Sequence, residues 1–175
     1  TPSLLPISLW EQLIDHARKL GMAPAHEWTV ECNPATLSLE KARFLREQGV
    51  NRISLGVQSL DDRILDRLGR IHSRQAVFDS FDLLRQAGFD NINLDLMFGI
   101  PGQSLEIWNQ TLTDALALES EHLACYELIF EEDTPLYLQL AAGSVRPDED
   151  LDAAMYERLL ERACEHGFIQ YEIAN

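Results

Sequence analysis

The chain has 175 residues, 46% of them hydrophobic and 25% charged, and its formal net charge at pH 7 is −15. This length and composition are typical of a globular domain with a core of its own. No apolar run approaches the roughly 20 residues that span a bilayer. The acidic balance disfavours a nucleic-acid partner, because it repels phosphate backbones. We therefore expect a cytoplasmic protein without a transmembrane segment.

The three cysteines, Cys32, Cys125 and Cys164, are far apart in the sequence. They show neither a disulfide framework nor the close spacing of metal ligands. None of the five histidines has a metal-ligand partner at a useful spacing. We expect reduced core thiols and no metal site built from this chain alone.

Helix and strand patterns alternate along the chain, with cap residues and glycines where they stop. Ser38 is placed as the N-cap of one helix and Gly49 as its terminating glycine, while residues 59–62 fit a capping box that opens a short helix. Besides the short helix after this box, the predicted helices cover residues 8–20, 38–48, 73–87, 104–118, 134–142 and 148–166. The predicted strands cover residues 27–32, 51–58, 91–99, 122–130 and 168–175.

The long helical connections predict parallel strands with crossovers, in an open doubly wound sheet or a β/α barrel. Most of the predicted strands have two unlike faces; in residues 51–58, for example, Ile53, Leu55 and Val57 oppose polar neighbours. A closed eight-stranded barrel fills its interior with branched apolar side chains. The repeated polar face therefore favours a wider or incomplete barrel with water or a ligand inside. The alternative is a sheet with one solvated face.

Glu31, Gln58 and Asp95 lie on the polar face, near the carboxyl ends of successive predicted strands. Barrels of this kind place their functional site at that end. Arg70, just past the following helix, is positioned to fold back over the same rim. Because a guanidinium binds carboxylates through two hydrogen bonds and carboxylates accept from ammonium or hydroxyl groups, the set suits a polar small molecule. Taken singly, each residue also has a structural explanation.

Four segments of the sequence are long enough to be specific: GVNRISLGVQSLDDRILDRLGRIH, NINLDLMFGIPGQS, HLACYELIFEEDTPLY and RPDEDLDAAMYERL. Together they resemble the radical S-adenosylmethionine (radical SAM) family that includes oxygen-independent coproporphyrinogen III oxidase, and within it the HemW-type haem chaperones. The resemblance implies a partial (β/α)6 barrel with S-adenosylmethionine across the strand ends, bound to a [4Fe-4S] cluster. Matched position by position, it implies that the cofactor-binding residues are Glu31, Gln58, Arg70, Asp95 and, for the adenosyl part, Ile129.

The chain departs from the family pattern in lacking the cluster-binding C-x-x-x-C-x-x-C motif. It opens at TPSLL, where the resemblance implies a preceding GGG, and it stops at YEIAN. We therefore expect residues 1–175 to be a single domain, the central part of a radical SAM barrel. On this view the N-terminal cluster-binding segment and a C-terminal domain are absent, and the fragment itself is inactive.

The resemblance leaves two related functions open. The favoured one is a haem chaperone that keeps S-adenosylmethionine and the cluster, binds haem and passes it to haem-acceptor proteins. The alternative is an oxygen-independent coproporphyrinogen III oxidase, which decarboxylates porphyrinogen propionates oxidatively. A more distant alternative is a β/α-barrel enzyme without a cluster. In either radical SAM case Arg70 suits the methionine carboxylate, while Glu31 and Asp95 suit the ammonium or the ribose hydroxyls.

Overall fold

The fold is a parallel sheet with helices, seen in a computed structural model that describes residues 2–22 and 26–173. All neighbouring strands are parallel, and their order across the sheet is β1-β2-β3-β4. Because spatial order follows chain order, each connection leads to the next neighbour, as in a barrel, and the order never reverses as it does in a doubly wound sheet. The strands are β1 Thr29–Cys32, β2 Arg52–Gln58, β3 Ile92–Phe98 and β4 His122–Glu127.

The helices begin and end close to the predicted positions. Ser38 caps its helix by accepting from the Lys41 N–H at 3.2 Å, and Gly49 ends it with φ 107°. Within the described ranges, no helix has both the length and the apolar character needed to cross a membrane. After a short 3-10 helix at Pro2–Leu4, the helices are α1 Ile7–Lys19, α2 Leu39–Gln48, α3 Asp62–Arg67, α4 Arg74–Gln86, α5 Leu105–Leu116, α6 Pro135–Ala141 and α7 Glu149–Glu165.

The predicted capping box at residues 59–62 is wrong in its choice of cap. Helix α3 is capped by Asp61, whose carboxylate accepts from the N–H groups of Arg63 at 3.0 Å and Ile64 at 3.2 Å. The Ser59 hydroxyl instead accepts from the Asp61 N–H at 3.2 Å, because Ser59 stands two residues before the true cap. Asp61 acts as the cap because it stands directly before the first helical residue.

The strand predicted at residues 168–175 is also wrong, since residues 168–173 are not a strand, and residues 174–175 lie outside the described ranges. Its apolar alternation is real, yet Ile169, Tyr171 and Ile173 are all exposed. The segment is held through side chains: Tyr171 Oη lies 2.6 Å from His122 Nε2, and Gln170 Nε2 donates to Tyr156 Oη at 2.8 Å. Alternation alone does not make a strand, because a strand also needs a neighbour's backbone to pair with.

The core lies between one face of the sheet and the helices. Ile53, Leu55 and Val57 of β2 are buried on that face. Helix α5 packs Trp108 into this core, and the indole N–H donates to the Met155 carbonyl of α7 at 2.8 Å. The other face of the sheet carries the polar side chains, as the two-faced strand patterns predicted.

Candidate functional site

A row of polar residues crosses all four strands on the face turned away from the core. The parallel registers pair Glu31 with Ser54, Ser54 with Asn93, and Asn93 with His122. Registered neighbours in a sheet lie about 4.8 Å apart, so side chains along such a row are within hydrogen-bonding reach. One step further along the strands, Asp95 lies on the same face.

The Asp95 carboxylate is oriented by donors from β2 and β3. The Ser54 hydroxyl donates to its Oδ2 at 2.9 Å, and Asn93 Nδ2 donates to its Oδ1 at 2.7 Å. Asn93 Nδ2 also donates to Ser54 Oγ at 2.7 Å, so both hydrogens of the amide are used. A carboxylate held in this way keeps one orientation while its remaining lone pairs stay available to a ligand.

The row continues from Asn93 to His122 and Tyr171. Asn93 Oδ1 lies 2.5 Å from His122 Nδ1, and because an amide oxygen only accepts, the ring nitrogen must donate. Burial, helped by the positive charge of Arg52, lowers the pKa of His122, which favours the neutral ring. Its Nε2 then accepts from the Tyr171 hydroxyl at 2.6 Å. The C-terminal segment is thereby tied to the polar row.

Asp95 has its pKa raised above the ordinary value of 3.8. Burial is the largest cause, and the nearby Glu31 carboxylate adds to it. The hydrogen bonds from Ser54 and Asn93 act in the opposite direction but do not outweigh burial. A partly buried carboxylate with a raised pKa gains most from a cationic or hydrogen-donating ligand, which would stabilise its charged form.

The polar row lines an open groove of about 1100 Å³. Its floor includes Glu31, Ser54 and Asp95, while Tyr156 of α7 and Tyr171 of the C-terminal segment line it from other elements. Sites for small molecules and cofactors are concave spaces of about this size that combine apolar walls with a few placed polar groups. The structure thus brings two of the predicted site residues, Glu31 and Asp95, into one groove.

Gln58 lies at the carboxyl end of β2, outside the lining of that groove, and packs beside Gly56. A Cβ at Gly56 would lie 3.2 Å from Gln58 Nε2 and 3.1 Å from Asn33 Oδ1. The missing side chain at Gly56 therefore makes room for both polar ends on this face. The strand register also shifts between Gly56 and Gln58, so the strand ends irregularly at a predicted site residue.

Arg70 and Ile129 also lie outside the groove lining. Arg70 is partly buried, its N–H donates to the Leu65 carbonyl at 2.9 Å, and its charge contributes to lowering the pKa of His72. Ile129 is exposed and follows β4, one residue after Leu128, whose N–H reaches the Phe98 carbonyl at the end of β3 at 3.0 Å. Ile129 thus lies beyond the end of β4 at Glu127, and the predicted strand 122–130 is too long at this end. Within the described residues, no hydrogen bond joins Arg70 or Ile129 to Asp95.

Ser54, Asn93 and His122 are not among the site residues that the sequence predicts. All three lie within predicted strands, and His122 is the first residue both of the predicted strand 122–130 and of β4. Their common signal is position: each falls on the polar face of a predicted strand. Which of these residues face one another depends on the register between strands, which a single sequence does not provide.

The described cysteines do not fit an iron–sulfur cluster. Burial raises the pKa of both Cys32 and Cys125 to about 12, which disfavours the thiolates that bind iron. Cys164 is exposed on α7. Within residues 2–22 and 26–173, no group of three or more His, Cys, Asp or Glu side chains could hold a metal ion.

The chain belongs to the Radical SAM superfamily, whose profile matches residues 1–115. Membership implies S-adenosylmethionine and a [4Fe-4S] cluster as the family's cofactors. The carboxylate, hydroxyl and amide groups on the polar face fit S-adenosylmethionine. The described cysteines do not fit the cluster.

Similar curated proteins cover the whole chain. "Heme chaperone HemW" of Bacillus subtilis is 41% identical over 178 residues, covering 100% of this chain and 47% of that protein. The protein of the same name in Escherichia coli is 38% identical over 98% of this chain and 45% of its own length. "Radical S-adenosyl methionine domain-containing protein 1, mitochondrial" of Mus musculus is 36% identical over 100% of this chain and 40% of its own length. The chain thus spans about half the length of the curated relatives that it matches.

Solved structures show the fold. Coproporphyrinogen III oxidase (HemN) from Escherichia coli, described as a radical SAM enzyme, matches with a TM-score of 0.80 at 22% identity, over 95% of this chain and 39% of that one. Elp3 from Methanocaldococcus infernus matches with a TM-score of 0.66 at 24% identity, over 78% of this chain and 32% of that one. The predicted fold class, a portion of a radical SAM-type barrel with parallel strands, is confirmed, and so is the family resemblance.

Proposed function

We propose that this chain is the S-adenosylmethionine-binding part of a haem chaperone of the Radical SAM superfamily. The observation that carries the cofactor assignment is the oriented Asp95 carboxylate, which lines a groove together with Glu31 on the strand face. The haem assignment is supported by relatives named heme chaperone that match 98% to 100% of the chain.

In this proposal the five predicted residues divide the cofactor between them. Asp95 and Glu31 accept from the ammonium and the ribose hydroxyls, and the raised pKa of Asp95 favours a ligand that donates to it. Arg70 binds the methionine carboxylate through its guanidinium. Gln58 offers an amide that both donates and accepts. Ile129, exposed beyond the end of β4, provides an apolar contact for the adenosyl part.

The cluster ligands in this proposal lie outside residues 1–175, because the C-x-x-x-C-x-x-C motif does not occur in them. Residues 1–175 would then be the central part of the barrel, with a cluster-binding segment before it and a further domain after it. When bound, S-adenosylmethionine and the cluster supply the radical chemistry of the family, and the residues of this chain orient the cofactor and shield it from water.

Haem is the proposed cargo, and haem-acceptor proteins are the proposed partners. The three cysteines are all free thiols, which agrees with a reducing compartment such as the cytoplasm. The alternative is an oxygen-independent coproporphyrinogen III oxidase. The likeness to HemN at 22% identity concerns the fold and does not favour that activity.

Binding of S-adenosylmethionine to the protein as encoded in full tests the cofactor assignment. Calorimetry should give a measurable Kd for the unchanged protein and binding at least about 10-fold weaker for Asp95→Asn, since one good charge-assisted bond is worth about that much. Asp114→Asn is the matched control, because that carboxylate pairs with Arg74 at 2.9 Å on α5. Equal affinity for all three proteins would contradict the assignment.

The haem assignment has its own test. The full-length protein is titrated with haem and followed by absorbance, and is separately incubated with coproporphyrinogen III under anaerobic reducing conditions with S-adenosylmethionine. Stoichiometric haem binding without decarboxylated product supports the chaperone. Decarboxylated product would contradict it and support the oxidase.

A further inference from the structure

The carboxyl end of β2 is a γ-turn centred on Gln58. The Ser59 N–H donates to the Val57 carbonyl at 2.8 Å, two residues back, and Gln58 has φ 65°. A γ-turn with positive φ at its central residue is rare and strained. A residue other than glycine keeps this backbone conformation only where the surrounding structure holds it there.

His72 contacts the same carbonyl. Its Nε2 lies 3.1 Å from Val57 O, and the residue is only 7% exposed. A carbonyl oxygen has two lone pairs, so it accepts from both the Ser59 N–H and the imidazole. The ring nitrogen that faces it must therefore carry a hydrogen. Burial, with a contribution from the charge of Arg70, lowers the pKa of His72, which favours the neutral ring with its hydrogen on Nε2.

The loop that carries His72 also carries Arg70, and it is fixed at both ends. At its start the Arg70 N–H donates to the Leu65 carbonyl at 2.9 Å, and at its end the Arg74 N–H donates to Asp62 Oδ1 at 2.7 Å. Between these points Ile71 is fully exposed while His72 turns inward. The imidazole thus forms a hydrogen bond between the Arg70 loop and the turn at Gln58.

We propose that His72 is a positioning residue for cofactor binding: its imidazole holds the γ-turn at Gln58 and so fixes the Gln58 amide relative to Arg70. This inference rests on the proposed function, because it takes Gln58 and Arg70 as ligand-binding residues. His72 itself acts through the Val57 carbonyl and touches no ligand. Without the imidazole, the Val57 carbonyl loses its hydrogen bond to the Arg70 loop and keeps the bond that closes the strained turn.

The test compares His72→Ala with His72→Gln in the protein as encoded in full. Glutamine places an N–H donor at nearly the reach of the imidazole Nε2, so it restores the bond that alanine removes. Two readouts are measured: the Kd for S-adenosylmethionine by calorimetry, and the hydrogen-exchange rate of the Ser59 amide without ligand. His16→Ala is a control for the loss of a hydrogen bond between an imidazole and a carbonyl, since His16 Nδ1 lies 2.8 Å from Gln12 O on the exposed side of α1. Ile14→Val, in the buried part of α1, controls for a modest loss of stability.

We expect His72→Ala to weaken binding about 10-fold and to accelerate Ser59 exchange about 10-fold, and His72→Gln to stay within about 3-fold of the unchanged protein in both. Both control variants should bind like the unchanged protein. The inference is overturned if His72→Ala binds normally, or if His72→Gln folds but restores neither readout.

Gln58→Ala separates this inference from the proposed function. If Gln58→Ala weakens binding and His72→Ala does not, only the role of His72 is wrong. If the Gln58→Ala protein binds S-adenosylmethionine like the unchanged protein, the proposed use of Gln58 is wrong, and the ligand role given to His72 falls with it.

Discussion

Asn93 and His122 face each other across β3 and β4, with Asn93 Oδ1 2.5 Å from His122 Nδ1. The other end of the same amide donates to the Asp95 carboxylate at 2.7 Å. Asn93 therefore connects the strand that starts at His122 with the carboxylate that we assign to the cofactor. His122 also bonds the Tyr171 hydroxyl. A substitution at Asn93 should therefore affect both the carboxylate in the groove and the contact with the C-terminal segment.

Asn93→Ala should remove a donor to Asp95 and the acceptor of His122 together. We expect the free energy of unfolding to fall by about 1–3 kcal/mol, because buried polar groups lose their partners. The pKa of Asp95 should rise further, since one of the bonds that lowers it is gone. Denaturant titration measures the first effect and NMR titration of the carboxyl carbon the second. Asn109→Ala on α5 is the control, and an Asp95 pKa unchanged by Asn93→Ala would contradict the account.

The raised pKa of Asp95 predicts a pH dependence of stability. Its ordinary value is 3.8, and burial places the folded value above this. Between the two values the folded state binds more protons than the unfolded chain, so the free energy of unfolding falls as pH rises through this window. Denaturant titrations across this range give the free energy of unfolding of the unchanged protein minus that of Asp95→Asn. This difference should fall as the pH rises. A difference that grows with pH would reverse the assigned direction of the shift.

His72 and His122 predict the opposite slope at higher pH. Burial lowers the pKa of each below the ordinary value of 6.5. Between the folded value and 6.5 the unfolded chain binds more protons, so stability falls as the solution is acidified through 6.5 and levels off below the folded pKa. A double variant, His72→Gln/His122→Gln, should lose much of this drop. The same drop in the double variant would show that other groups cause it.

Gly56→Ala should affect the site more than the fold. The new Cβ would lie 3.1 Å from Asn33 Oδ1 and 3.2 Å from Gln58 Nε2, so these side-chain ends must move. We expect binding of S-adenosylmethionine about 10-fold weaker with a small change in stability, measured by calorimetry and thermal unfolding. Gly143→Ala is the control, because its φ is +70° with open space around it, so only backbone strain is added. Wild-type affinity in Gly56→Ala would contradict the placement of Gln58.

Local patterns in the sequence predict most of the elements and the polar face, because alternation in a strand reports directly which side chains face the core. Ile53 and Leu55 are buried on one face and Ser54 is not, as the alternation of β2 indicates. Helix ends at Ser38 and Gly49 follow from equally local chemistry. These features need no knowledge of the rest of the chain.

The features that the sequence did not predict depend on distant partners. The link from Asp95 through Asn93 to His122 requires the register between β3 and β4. The γ-turn at Gln58 is hydrogen-bonded, through the Val57 carbonyl, by a histidine 14 residues away from Gln58, and no local pattern marks it. The segment at residues 168–173 has the alternation of a strand, but side-chain bonds rather than strand pairing hold it.

The central claim is that S-adenosylmethionine binds at the strand ends through the predicted residues. The most direct measurement is the electron paramagnetic resonance spectrum of the reduced full-length protein, reconstituted without oxygen, before and after adding S-adenosylmethionine. The account predicts that the cofactor changes the cluster signal of the unchanged protein and leaves that of Gln58→Ala/Arg70→Ala unaltered. The same change in the double variant, or no change in the unchanged protein, would contradict it.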